Sequence, residues 1–178
     1  SNVGMVKIMQ NLPPETYWNW LNKLGISKSL ETDLFESTAG QLKSKNIFVT
    51  QSIEPAVASF GKGFSISPLK LAQLHAVLAN GGNEVTPHVT LNFKAHLKNY
   101  SPKEIFSNEV SKTVLKWMES VVDNGSGKGA KIDGYRIGGK NGTSQKAVNG
   151  RYTSKKVCSF VASFPVINTK YVVLVVID

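Results

Sequence analysis

The clearest element in the pattern of hydrophobic and polar positions is a helix over residues 69–80. Ser67 and Pro68 precede it, and proline is favoured at the first helical position because its missing N–H would have no partner there. Two glycines follow the last helical residue and are typical of a helix end. One apolar stripe is predicted along this helix, formed by Leu71, Leu74, His75 and Leu78.

A second long helix is predicted over residues 107–123. Ser107 is a suitable N-cap, and Glu109 lies in the first turn, where the helix dipole favours a carboxylate. The apolar positions at helical spacing predict a buried face formed by Val110, Val114, Trp117 and Val121.

Two more helices are predicted near the beginning of the sequence. Ser1 or Asn2 is a suitable cap for an apolar run that continues to Leu12, and a pair of prolines separates this run from a helix over residues 15–24. Residues 26–55 show no strong period. A long irregular connection is therefore expected there, interrupted at most by a short helix or 3₁₀ turn.

Strands are predicted mainly in the last third of the sequence, over residues 135–140, 157–164 and 171–177. Their connections are short, which is typical of antiparallel neighbours. A further short strand is expected over residues 85–89, at a sheet edge because it contains Pro87. Helices followed by a strand meander predict an α/β fold in the broad sense, with an antiparallel sheet flanked by helices.

Glycines, a lysine and hydroxyl side chains are concentrated at the end of the first main strand, in Gly138-Gly139-Lys140-Asn141-Gly142-Thr143-Ser144. Glycine has no Cβ, so a ligand or a second backbone can approach closely. The same local pattern also fits a hairpin with a glycine-rich turn, followed by a basic turn over residues 145–154. Local pattern leaves both interpretations open.

Composition narrows the classes of function. The 178 residues carry a net charge of +9, and 41% are hydrophobic and 19% charged, which is typical of one folded domain or most of one. The cations are spread along the chain and no aromatic stripe alternates with them, so a solvated basic surface is favoured over nucleic-acid binding. No apolar run approaches the roughly 18 residues that a membrane-spanning helix needs.

Cysteine and histidine usage excludes two further kinds of site. The single cysteine, Cys158, cannot form an internal disulfide, and its apolar neighbours in the sequence predict a buried strand thiol. The three histidines share no metal-ligand spacing. Neither a metal nor another cofactor is therefore expected.

The glycine- and lysine-containing stretch resembles the Lys-Thr-Gly strand motif of penicillin-binding proteins and serine β-lactamases. Ser1-Asn2 resembles the end of their Ser-x-Asn motif. Residues 55–79 are similar to the segment between the two motifs in class B penicillin-binding proteins, and the glycine-rich loop 124–130 is in the expected place. Because four elements occur in the right order, essentially the whole chain resembles a peptidoglycan D,D-transpeptidase of the cell-division type.

The resemblance implies a β-lactamase-like transpeptidase fold and acyl transfer through a serine ester. The serine attacks the D-alanyl-D-alanine end of one stem peptide, and an amine of a second stem peptide accepts the acyl group. β-Lactam antibiotics are implied as mimics of the donor, and membrane proteins of cell division and wall synthesis as partners. The implied location is the periplasmic side of the cytoplasmic membrane, with an anchor N-terminal to this chain.

The resemblance also implies roles for individual residues. Lys140 matches the motif lysine and Asn2 the motif asparagine, and these two are the implied catalytic residues. The hydroxyl of Thr143 is implied to bind the substrate carboxylate, and its backbone N–H to donate to the oxyanion. The full set of implied substrate-binding residues is Asn141, Gly142, Thr143 and Ser144.

The chain departs from the family pattern in two respects. Asn141 occupies a position where the family has Thr or Ser, and an amide is larger and cannot act as a hydroxyl. The resemblance implies that the nucleophile motif, Ser-x-x-Lys at the start of a central helix, lies upstream of Ser1. Two strings, at residues 59–62 and 67–70, match this pattern, but so short a pattern recurs by chance. The first string is a poor helix start, and the second coincides with the family's structural Ser/Thr-Pro-Leu helix. The chain is therefore predicted to be the C-terminal portion of a transpeptidase domain, truncated at both ends and catalytically silent by itself.

Two alternatives from other classes stay open. One is a non-catalytic β-lactam-binding or sensor module on the same fold, which the amide of Asn141 favours. The other is a basic module for nucleic acid or another anionic polymer, supported only by the net charge of +9.

Overall fold

The computed structural model describes residues 1–34, 37–91, 103–148 and 151–178. The chain divides into two compact units, Ser1–Lys70 with Pro87–Phe93 and Leu71–Thr86 with Lys94–Asp178. The described α-helices and strands are α1 (Asn2–Met9), α2 (Pro14–Lys23), α3 (Lys45–Thr50), α4 (Ile53–Ala58), α5 (Pro68–Ala79), α6 (Asn108–Asn124), β1 (Gly138–Val148), β2 (Arg151–Phe164) and β3 (Tyr171–Ile177), and a 3₁₀-helix forms at Lys128–Ala130. No helix in the described part of the chain is long and apolar enough to cross a membrane.

The first unit confirms the two predicted N-terminal helices, although α1 ends at Met9 and not at Leu12. The Ser1 hydroxyl accepts a hydrogen bond from the Gly4 N–H at 3.4 Å and so caps α1. The connection over residues 26–55 is less irregular than predicted, because it contains α3 and ends within α4. Six-residue helices are too short to give a clear apolar period. Phe48 of α3 is nearly inaccessible to solvent and makes an edge-to-face contact with Tyr17 at 5.7 Å.

The predicted edge strand over residues 85–89 is wrong. No strand forms there, and the neighbouring Asn83 makes only an isolated bridge with Glu104. The side-chain amide of Gln73 donates to the Val85 carbonyl at 2.7 Å. The Val85 carbonyl, which would pair with a neighbouring strand if a sheet formed here, is therefore occupied by the Gln73 side chain of α5.

The second unit contains the predicted antiparallel sheet, in the order β1-β2-β3. The third strand has the predicted bounds. The first begins only at Gly138 but continues to Val148, and the second begins at Arg151. Most of the expected basic turn is therefore strand, because backbone pairing continues beyond the apolar residues. Residues 149–150 of that predicted turn lie outside the described residues.

Helix α6 packs on one face of the sheet, and its cap is as predicted: the Ser107 hydroxyl accepts from the Val110 N–H at 3.2 Å. The predicted apolar face of this helix is largely wrong, since Val110 and Trp117 are 47% and 66% exposed. A second stripe lies one position further along the sequence, and it is this stripe that packs against the sheet. The residues of α6 that are buried are Ser111, Leu115, Met118 and Val122.

The hydrophobic core of the second unit lies between α6 and the sheet. Leu115 and Met118 pack there with Val161 of β2 and with Val166, which follows that strand. Leu78, Val114, Val172 and Leu174 pack against this cluster. In α5 the predicted stripe is only half-buried, and the more deeply buried positions are Lys70, Gln73 and Val77.

Cys158 is exposed, so the prediction of a buried thiol is wrong. Successive strand residues point to opposite faces of a sheet. Val161 faces α6, and Cys158, three positions earlier in β2, therefore points to the opposite face. An apolar run in the sequence does not distinguish these two faces.

Candidate active site

The beginning of the site strand is tied to helix α6 by an ion pair. The Arg136 guanidinium donates two hydrogen bonds to the Glu119 carboxylate, at 2.6 and 2.7 Å. This hydrogen bonding lowers the pKa of Glu119 and raises the pKa of Arg136. The Arg136 carbonyl also accepts from the Val166 N–H at 3.0 Å. The residue two positions before β1 is thus held on both its side chain and its backbone.

The double glycine lets β1 lie close to its neighbours. A Cβ on Gly138 would come within 3.2 Å of the Leu115 carbonyl oxygen on α6. A Cβ on Gly139 would lie 2.5 Å from the ring of Phe160 on β2. Any larger side chain at either position would have to move one of these neighbours.

The predicted site residues of this unit lie together on β1, at the edge of the sheet. In the antiparallel register Lys140 is opposite Val161 and Thr143 is opposite Cys158. The five consecutive residues from Lys140 to Ser144 are all exposed. Because β1 pairs only with β2 in the described part of the chain, its other edge presents backbone N–H and C=O groups to an extended ligand.

Lys140 and Asn141 form a compact polar cluster with a third residue, Ser126. The Lys140 ammonium donates to the Asn141 backbone carbonyl at 2.7 Å and to its side-chain Oδ1 at 3.1 Å. The Ser126 hydroxyl donates to the same Oδ1 at 2.8 Å. The sequence places the loop 124–130 near the motif but gives no local signal for Ser126, because this contact spans 15 residues.

The remaining motif residues present small or hydroxyl side chains. A Cβ on Gly142 would lie 2.9 Å from the Ser159 hydroxyl, so a larger residue there would make the Ser159 side chain move. The Thr143 hydroxyl lies 4.0 Å from the Cys158 thiol, a contact that the sequence did not predict. Within the described residues, the Ser144 hydroxyl makes one long hydrogen bond of 3.5 Å, to the Gln145 carbonyl. The described contacts of the Thr143 and Ser144 hydroxyls are therefore long and weak.

Asn2 lies at the beginning of α1, in the first compact unit, and its side chain is exposed. Its role in catalysis stays a prediction. Among the residues that the structure describes, no group of His, Cys, Asp and Glu side chains could hold a metal ion.

Family comparison identifies the fold to which this strand belongs. The family model for the penicillin-binding protein transpeptidase domain matches residues 1–178. This chain belongs to that family. The predicted transpeptidase fold and the resemblance to penicillin-binding proteins are therefore confirmed.

Individual relatives agree with this identification. The peptidoglycan D,D-transpeptidase FtsI homolog of Mesostigma viride is 44% identical over 201 residues, with 100% of this chain and 34% of that protein covered. Stage V sporulation protein D of Bacillus subtilis is 31% identical over 186 residues, with 99% and 28% covered. This chain thus spans about a third of the length of these curated relatives.

A solved structure supports the fold directly. The transpeptidase domain of penicillin-binding protein 3 from Burkholderia pseudomallei superposes with a TM-score of 0.88 at 31% identity. The match covers 100% of this chain and 53% of that one.

Proposed function

We propose that the full-length protein to which these 178 residues belong, called the native protein below, is a peptidoglycan D,D-transpeptidase. It cross-links stem peptides through a serine ester. The observation that carries this proposal is the polar edge of β1, with Lys140 and Thr143 exposed on it, in a chain of the penicillin-binding transpeptidase family. An extended peptide can pair with such an edge by backbone hydrogen bonds, while side chains bind its charged end.

The reaction consists of two acyl transfers. The serine oxygen bonds to the carbonyl carbon of the penultimate D-alanine, the amide C–N bond breaks, and the terminal D-alanine leaves with the proton that the serine gives up. An amine of a second stem peptide then attacks the ester, and the serine regains a proton. β-Lactams acylate the same serine, but their leaving group stays attached to the ester.

The site residues divide this work according to their chemistry. The Lys140 ammonium raises the electrostatic potential beside the serine and takes part in proton transfer. Asn2 binds the substrate amide, the role that its match to the motif asparagine implies. The Thr143 hydroxyl binds the donor carboxylate and its backbone N–H stabilises the oxyanion, while Gly142 and Ser144 line the path of the peptide.

The nucleophile of this mechanism lies outside the 178 residues, in our proposal. Two contacts support it. The Ser59 hydroxyl donates to the Ala56 carbonyl at 2.7 Å, at the end of α4 and not at the beginning of a helix. The Ser67 hydroxyl accepts from the Lys70 N–H at 3.2 Å and so serves as the cap of α5. This chain is then the C-terminal portion of a transpeptidase domain, which agrees with its coverage of 53% of a solved transpeptidase domain.

The same proposal gives the protein a location and partners. A peptidoglycan substrate requires the domain to lie outside the cytoplasmic membrane, and we place it on the periplasmic side, held by an anchor N-terminal to these residues. Membrane proteins of cell division and wall synthesis are its expected partners, because the Mesostigma viride relative is named as an FtsI homolog.

Fluorescent penicillin labelling tests the proposed function. The native protein is expected to form a covalent adduct that survives denaturation, and peptide mapping should place the label on a serine of a Ser-x-x-Lys motif. The 178-residue chain alone is expected to stay unlabelled. Stable labelling of that chain would place the nucleophile within it, whereas an unlabelled native protein would contradict the transpeptidase assignment.

A further inference from the structure

We propose that Asn141 is a positioning residue, which holds the Lys140 ammonium and the loop 124–130 in one arrangement, and not a ligand of the substrate carboxylate. This inference rests on the proposed transpeptidase function. It changes the predicted role of the one motif residue that departs from the family pattern.

The hydrogen bonds of Asn141 leave its side-chain oxygen saturated. An amide oxygen has two lone pairs. One accepts from the Ser126 hydroxyl at 2.8 Å and the other from the Lys140 ammonium at 3.1 Å. An ammonium can only donate, so the atom that faces it must be the amide oxygen and not the nitrogen.

Lys140 is oriented by this arrangement. Its ammonium has three N–H groups, and two of them point to Asn141, to Oδ1 and to the backbone carbonyl. An exposed lysine otherwise samples many rotamers, and ordering it costs conformational entropy. Asn141 thus pre-orders the ammonium before any ligand binds, and one N–H is left for the reacting groups.

The loop 124–130 is the second partner that Asn141 holds. The N–H groups of Gly125 and Gly127 both donate to the Val121 carbonyl at 3.0 Å, so the loop is fixed to the end of α6. Between these glycines, the Ser126 side chain reaches β1. With the Arg136–Glu119 pair, α6 and its following loop hold β1 on both sides of Lys140.

The threonine or serine that the family has at the position of Asn141 would not make the same contact with Ser126. A threonine or serine oxygen is bonded to Cβ and lies one bond nearer to the backbone than an asparagine Oδ1. The 2.8 Å contact from Ser126 would therefore lengthen by roughly 1 Å and no longer be a hydrogen bond. The amide at this position links the strand to the loop in a way that the family residue does not.

Acylation kinetics of the native protein test this role. The variants are Asn141→Ala, Ser126→Ala and their combination, with the exposed Ser154→Ala of β2 as the matched control. We expect the acylation rate constant to fall about tenfold for Asn141→Ala and about threefold for Ser126→Ala, with the dissociation constant of the β-lactam within about twofold of wild type. The double variant should be no slower than Asn141→Ala, because Ser126 acts through Asn141.

Two further measurements keep the test independent of activity and of folding defects. Hydrogen exchange at residues 125–130 should rise equally in Asn141→Ala and Ser126→Ala, and not in Ser154→Ala. In an Asn141→Thr background, which keeps a good strand residue, Ser126→Ala should have no further effect on exchange or acylation.

Each outcome decides the proposal. A weaker dissociation constant with an unchanged rate constant would make Asn141 a substrate ligand, and additive effects of the two substitutions would remove the link to the loop. If wild type is not acylated but hydrogen exchange at the loop still depends on both residues, the proposed function fails, while the hydrogen bond from Ser126 to Asn141 still holds the loop. If wild type is acylated and neither substitution changes the exchange, the transpeptidase function stands and only the positioning role of Asn141 fails.

Discussion

The two edge strands of the sheet, β1 and β3, differ in almost every side chain although they pair with the same neighbour. The exposed part of β1 from Lys140 to Ser144 carries a cation, an amide and hydroxyls. All the residues of β3 are apolar or aromatic. Of these, Val172 and Leu174 pack towards α6, whereas the exposed residues are Tyr171, Val173, Val175, Val176 and Ile177.

This difference shows how one sheet combines packing with chemistry. Apolar residues on both faces of a strand are typical of a strand with hydrophobic cover on both sides, and such a strand is held by burial and backbone pairing. A polar edge strand gains little from burial. The approach to β1 and its middle are instead held by specific side-chain hydrogen bonds, which Arg136 donates to Glu119 and Ser126 donates to Asn141.

The largest expected effect comes from removing the cation of β1. Lys140→Ala in the native protein should slow acylation by fluorescent penicillin about a thousandfold or more, because both charge stabilisation and proton transfer are lost. Its thermal midpoint should change little, since the side chain is exposed. Lys156→Ala on β2 is the control of equal charge change. Labelling near the wild-type rate would contradict the assigned role of Lys140.

On β3 we expect a substitution to lower stability and to leave the acylation rate unchanged. Leu174→Ala should lower the free energy of unfolding by about 2 kcal/mol, because Leu174 packs against the core cluster. The exposed Val173→Ala, one position earlier, should cost about 0.5 kcal/mol or less. Denaturant titration measures both, and the folded fraction of each variant should acylate at the wild-type rate. Equal losses for the two variants would show that both faces of β3 are covered in the native protein.

A smaller effect is expected where β1 is tied to α6. Arg136→Gln should lower the denaturation midpoint less than Leu174→Ala does, because this arginine side chain is 54% exposed and solvent weakens its ion pair. Acylation should fall by about two- to threefold, since the strand holding Lys140 begins two residues later. A double-mutant cycle with Glu119→Gln should show coupling. Strict additivity would mean that the pair does not hold the strand.

The smallest expected effect is the pH dependence of that ion pair. The hydrogen bonds from Arg136 lower the pKa of Glu119 below its ordinary value of 4.5. The carboxylate therefore stabilises the fold above about pH 4.5, and this contribution is lost as the pH falls through the lowered pKa. Wild type should lose stability more steeply than Glu119→Gln in this range. Parallel curves for the two proteins would contradict the assigned pairing.

A second group gives an internal reference for that experiment. Burial lowers the pKa of His75 in α5, so the fold favours its neutral form. Stability should therefore fall as the pH drops below about 6.5, the ordinary value, in wild type and in Glu119→Gln alike. Because His75 is present in both proteins, its contribution cancels in their difference, and the change that remains identifies Glu119.

Local pattern was sufficient for the elements whose signals lie within a few residues. The caps at Ser1 and Ser107, the proline that begins α5 and the apolar run of β3 are all short-range features, and each predicted element is confirmed. The motif stretch was also recognisable from order and residue type alone, and the family match confirms the fold that it implied.

Contacts between distant residues were needed for the rest. The buried face of α6 depends on which of two adjacent apolar stripes meets Val161, and the exposure of Cys158 depends on the face to which β2 turns it. The partnership of Ser126 with Asn141 requires a loop and a strand 15 residues apart to meet. Residue type and spacing specify caps, turns and periods because those are local interactions, whereas the choice of face and partner follows from packing of the whole unit.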